Sequence, residues 1–148
     1  MKVVFTKGPG KFDSMDVFRP DGTSETVQCP KQGIIPHDMV HYAVEHTLTA
    51  RGFLLRVSGG ESASFRMKPE AESDSVERFV EALQGDAWSG GGSSEQDILD
   101  MYQVTCSARG CPALPLSHQD VAAARNAIRM LSSQWHAIPV QGTLELRL

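Results

Sequence analysis

An α+β fold, with an antiparallel sheet packed against about four helices, is the class this sequence predicts, and three observations predict it. Turn-punctuated β-prone runs fill the first thirty residues, a period-two strand occupies the last six, and helical periodicity dominates between them. A doubly wound sheet would need parallel strands alternating with helices, and a hairpin followed later by three consecutive helices does not supply them.

Val3–Thr6 is a short β-prone run. Ser14–Arg19 and Thr23–Gln28 flank Pro20-Asp21-Gly22, whose Pro and Gly provide the backbone angles of a reversal, so the pair reads as a hairpin. Thr143–Leu148 puts Leu144, Leu146 and Leu148 on one face and Thr143, Glu145 and Arg147 on the other, the pattern of a half-buried antiparallel strand.

The first helix is expected from about Pro36 to Ala50, with Pro36 at its first position and Gly52 as the stop. Phe53–Val57 is apolar and reads as a strand that pairs with Ser64–Met67 across Gly59-Gly60, giving a middle hairpin. Asp74-x-x-Glu77 resembles a capping arrangement ahead of Val76, Phe79, Val80 and Leu83, which recur at the spacing of one helical face. The Gly/Ser-rich stretch 85–94 is expected to be a flexible loop within one domain spanning 1–148, because glycine loses the most freedom on ordering. Ser94-x-x-Asp97 and Ser117-x-x-Asp120 open the last two helices. In the second of these Val121, Ala124, Ile128, Leu131 and Trp135 form one narrow apolar stripe.

Composition limits the function classes. The 148 residues are 41% hydrophobic and 22% charged, which indicates a folded globular chain. No run of about 18 apolar residues occurs, and Met1–Gly10 lacks the apolar core of a signal peptide, so a cytoplasmic protein without membrane contact is expected. The 14 basic and 18 acidic residues give a net charge of −4, and the cations are scattered, which argues against a nucleic-acid partner. Cys29, Cys106 and Cys111 are an odd set without Cys-x-x-Cys spacing, so they read as reduced thiols and not as a disulfide framework or structural zinc site.

One segment stands apart. Three of the five histidines, His37, His41 and His46, fall in ten residues together with Asp38 and Glu45. At 100° per residue His37, His41, Glu45 and Asp38 line one side of the helix, at the border of the apolar arc formed by Met39, Val40, Ala43, Val44 and Leu48. In the first turn the helix dipole is expected to disfavour protonation of His37 and to stabilise Asp38 as an anion.

Over five residues, His37-Asp38-Met39-Val40-His41 resembles the His-Glu-x-x-His helix of the zincin class of zinc peptidases. The resemblance implies His37 and His41 as ligands of zinc or another divalent metal and Asp38 as the base that polarises a bound water. The chain departs from that pattern in its aspartate, one methylene shorter than glutamate. Glu45 is a further candidate ligand, although it lies eight residues from His37, about 12 Å along the axis, and so pairs more readily with His41. His118, His136, Glu77, Glu81 and the cysteines are alternative third donors among which no spacing selects. Because no complete catalytic set can be written down, the residues point to a non-catalytic domain that binds a protein or small-molecule partner. The alternative is a metal-dependent hydrolase centred on His37 and His41.

Overall fold

The computed structural model describes all 148 residues. Its elements in chain order are β1 (Lys2–Thr6), β2 (Phe12–Phe18), β3 (Ser24–Pro30), α1 (His37–Leu48), α2 (Phe53–Ser58), α3 (Ala71–Trp88), α4 (Glu95–Arg109), α5 (His118–Ala137) and β4 (Thr143–Arg147). The strands form one antiparallel sheet in the order β3-β2-β1-β4, so the two ends of the chain lie side by side, and the fold is the α+β class expected.

Alternation decides which sheet face is covered. Val3 pairs with Val17 and Phe5 with Met15 in the β1–β2 register, and all four side chains are fully buried. Each contributes about 1.5–3 kcal/mol by leaving water. Phe5 meets Trp135 of α5 edge to face at 6.4 Å. The α5 stripe Val121, Ala124, Ile128, Leu131 and Trp135 is buried throughout, as its spacing requires. A reciprocal capping box starts that helix, with Ser117 Oγ accepting from the Asp120 amide and Asp120 Oδ2 accepting from the Ser117 amide. Lys7 Nζ closes its other end by donating to the Trp135 and Ile138 carbonyls, which satisfies acceptors a helix leaves open. Within the helical layer α1 packs on α5 and α3, and α4 packs on α3 and α5.

Three local expectations are corrected. Phe53–Ser58 is a short helix, not half of a middle hairpin, and Ser64–Met67 forms no strand. Leu54 and Val57, one turn apart, are both fully buried, while the Leu54 and Leu55 amides donate to the Glu45 carboxylate. The following loop is held by Glu25 of β3, which accepts from Ser62 Oγ, the Ala63 amide and Ser64 Oγ. Backbone groups that a hairpin would have paired therefore have other partners.

The helix before the glycine-rich loop begins at Ala71, three residues ahead of Asp74, so Asp74-x-x-Glu77 is not its cap. It also runs on through Gly85 to Trp88, leaving only Ser89–Ser94 as loop. Leu83, Gln84 and Asp86 are buried there, and that packing outweighs the roughly 1 kcal/mol by which a helical glycine is disfavoured. Asp86 Oδ1 accepts from the Ser93 amide and Arg129 donates to the Gly91 carbonyl, so the loop is tied at both flanks.

Candidate metal centre

Pro36 caps α1 with its carbonyl, and His37 is the first helical residue. One turn later His41 follows on the same side, and the two rings meet edge to face at 4.8 Å. The polar strip borders solvent only in its first turn, where His37 stays partly exposed. His41 and Glu45 are each only 1% exposed, because α3 and the start of α2 cover that side of α1.

From α3 comes Glu77, the residue that joins the two histidines. Its Oε2 lies 2.6 Å from His41 Nε2, and its Oε1 lies 3.3 Å from His37 Nε2. The ligand atoms of His37, His41 and Glu77 all lie within 4.8 Å of one another. Among the candidate third donors, tertiary packing thus selects Glu77. Two turns further along α3, Gln84 reaches the other nitrogen of His37, with Oε1 3.1 Å from Nδ1. The same Gln84 oxygen accepts from Gln32 Nε2 at 2.9 Å.

The outer partners fix which nitrogen of each ring faces inward. His41 Nδ1 lies 2.9 Å from Glu45 Oε2, and a carboxylate can only accept, so Nδ1 carries a hydrogen. Glu45 is itself clamped, since Oε2 also accepts from the Leu54 amide at 3.1 Å and Oε1 from the Leu55 amide at 2.8 Å. Gly52 makes that clamp possible: a Cβ there would sit 2.6 Å from Glu45 Cδ. With Gln84 accepting from His37 Nδ1, both rings present Nε2 to Glu77, the nitrogen that a metal would take.

The electrostatics overturn the dipole expectation. Burial opposes charge on both rings. For His41, hydrogen bonds to Glu45 and Glu77 outweigh burial and raise its pKa to about 10. His37 is raised as well, through Glu77. At His37 the Glu77 carboxylate, 3.3 Å away, acts more strongly than the partial charge of a helix end. Glu77 is held far below the usual carboxylate range by His37 and His41, against the opposing effect of burial. Asp38 departs from expectation in the other direction, because burial pushes its carboxyl up.

Of the residues singled out by sequence, the structure brings His37, His41 and Glu77 together and sets the others behind or beside them. Glu45 backs His41 from the far nitrogen and does not face the opening. Asp38 turns toward the sheet, with Oδ2 3.7 Å from Cys29 Sγ. His46 stacks on Tyr42, His118 bonds Gln96, and Glu81 pairs with Arg78. Sequence reasoning missed the role of Gln84 and had no means of choosing Glu77. Their separation of seven residues, which aligns them on one helix face, is the signal that a fixed partner helix would have made legible.

The inner group is reachable from solvent, with the His37 and Glu77 side chains 39% and 30% exposed and His41 closed off behind them. Glu77 and Phe53 also line a cleft of about 650 Å³. Comparison with protein-family models, curated proteins and solved structures finds no match for the chain.

Proposed function

We propose that this protein is a metal-dependent hydrolase whose divalent ion, zinc in the first instance, is held by His37 Nε2, His41 Nε2 and Glu77. The observation that supports this most directly is the fixed outer ring. Gln84 and Glu45 each engage an Nδ1, so both Nε2 atoms converge on one carboxylate. Two imidazoles and one carboxylate match the donor set of catalytic zinc sites and of sites for other divalent ions that keep positions open. Binding would exchange the protons bridging the rings and Glu77 for the ion and would require Glu77 to withdraw from its 2.6 Å contact with His41. When bound, such an ion acts as a Lewis acid toward water and toward carbonyl or phosphoryl oxygens. His41, backed by Glu45, would hold it from the closed side, and the His37–Glu77 edge would admit substrate. Asp38, directed at Cys29, is given no part in water activation. A cytoplasmic location fits three unpaired thiols, two of them buried.

A second reading rests on the same 2.6 Å contact. The His41–Glu77 hydrogen bond is already short and charge-assisted, so the network could serve only to fasten α1 to α3 in a non-catalytic domain that binds a protein or small-molecule partner. Titration of the metal-free protein with zinc, followed by calorimetry and by the visible spectrum of the cobalt form, separates the two. One ion per chain for the wild type, lost in Glu77→Gln while the fold is retained, supports the metal site, and turnover of ester, amide or phosphoester substrates then identifies the reaction. No binding and an unchanged melting temperature in zinc would leave the second reading standing.

A further inference from the structure

The cleft beside Glu77 has a wall whose charge runs against that of the whole chain. Although the net charge is −4, Arg56, Arg66, Lys68, Arg78 and Arg109 line it, opposed by Asp74 and Glu77. Not all of these charges are free. Arg56 is taken up by Glu61, through bonds of 2.7 Å from Nε and from Nη2, and Glu77 is engaged by the two histidines. Arg66, Lys68 and Arg109 are exposed and have no carboxylate within ion-pair distance. Arg78 spends Nη2 on Glu81, while its Nε is buried with no hydrogen-bond partner. The loop carrying two of the free cations is held in place, because Arg56 Nη2 donates to the Lys68 carbonyl at 2.8 Å. After Asp74 is set against them, the wall keeps an excess of positive charge and of N–H donors in the same cleft as Glu77.

We infer that this cleft is an oxyanion subsite, in which Arg78, Arg109, Lys68 and Arg66 bind a phosphate or carboxylate group. Its assignment as the place where the anionic part of a hydrolase substrate sits rests on the metal reading above, whereas the binding of the anion does not need the metal. Guanidinium groups suit this ligand because their planar forks match the oxygens of either group, and the ammonium of Lys68 adds charge without directional demand. A substrate anchored there would extend past Glu77 toward the exposed edge of His37. The subsite therefore selects anionic esters or amides over neutral ones.

The test uses metal-free protein and two probes, inorganic phosphate and succinate, each titrated at constant ionic strength against sodium chloride. The Nε–H resonance of Arg78 in an arginine-selective nitrogen–proton spectrum reports on the wall directly. A saturable shift with phosphate, with succinate or with both, weakened about tenfold by the double variant Lys68→Gln with Arg109→Gln, supports the subsite and tells which anion it prefers. Resonances that move no further than in chloride, or an affinity unchanged in the double variant, overturn it. Both substitutions are at exposed positions, so loss of folding does not confuse the result. Zinc binding without anion binding would sink this inference alone, and anion binding without zinc would sink the metal reading alone.

Discussion

Gly52→Ala isolates the support behind His41 more sharply than any substitution of the histidines themselves. Gly52 has φ −108° and ψ −157°, extended backbone that alanine adopts without strain, so any cost is steric. The added methyl would lie 2.6 Å from Glu45 Cδ, 2.7 Å from Val76 Cγ1 and 2.8 Å from Glu45 Oε2. Neither neighbour can yield easily. Val76 is fully buried, and both oxygens of Glu45 are engaged, by His41 and by the first amides of α2. Overpacking alone costs about 1–3 kcal/mol. If the carboxylate swings away, a buried charge loses its partners, and breaking such a pair costs about 3–5 kcal/mol. A loss of about 3–5 kcal/mol in urea unfolding is therefore expected, together with zinc affinity lowered about 10–100-fold, as removal of an outer hydrogen bond to a metal-bound histidine produces. Stability within about 0.5 kcal/mol of wild type would refute the clamp, since that is the range of substitutions that touch nothing.

Gly85→Ala should act in the opposite direction, because its Cβ meets open space within α3, and a gain of about 0.5–1 kcal/mol in chemical denaturation is expected. Leu131→Ala should cost about 2–5 kcal/mol if the buried α5 stripe carries the core, and a loss near 0.5 kcal/mol would place that face wrongly. The unfolding midpoint of the metal-free protein should depend on pH with a defined sign. The raised pKa of His41 adds stability that is complete below its unfolded value of 6.5 and fades as pH rises through about 10. The depressed pKa of Glu77 adds stability present above its unfolded value of 4.5 and lost as pH falls below it. A maximum between about pH 4.5 and 6.5 follows, flattened on the alkaline side in Glu77→Gln; equal alkaline slopes in the two proteins would contradict the assigned ion pairs.

The order of elements was legible in the sequence wherever the signal was local. Alternation in Thr143–Arg147, the turn residues between β2 and β3, the serine caps of α4 and α5 and the α5 stripe are each specified by neighbours within about one or two turns. Phe53–Val57 reads as a strand because its composition is β-prone, whereas in the fold a carboxylate from α1 lies across the first amides of a helix there. The long reach of α3 through Gly85 was hidden for the same kind of reason, since burial against the core overrides a local preference.

The site divides along the same line. Two histidines one turn apart on α1 could be seen in the sequence, because four residues of helix bring them to one side. Their third donor could not be seen, because Glu77 lies 36 residues from His41 and nothing in its own surroundings distinguishes it from other glutamates. Nor could the protonation of the rings, for a helix end acts as a fraction of a charge while Glu45 and Glu77 act as whole ones at contact. The sequence by itself determined which residues could carry the chemistry and on which helix. The packing of α3 and α2 against α1 decided which of them meet, because only tertiary contact brings distant carboxylates to hydrogen-bond range of a buried imidazole.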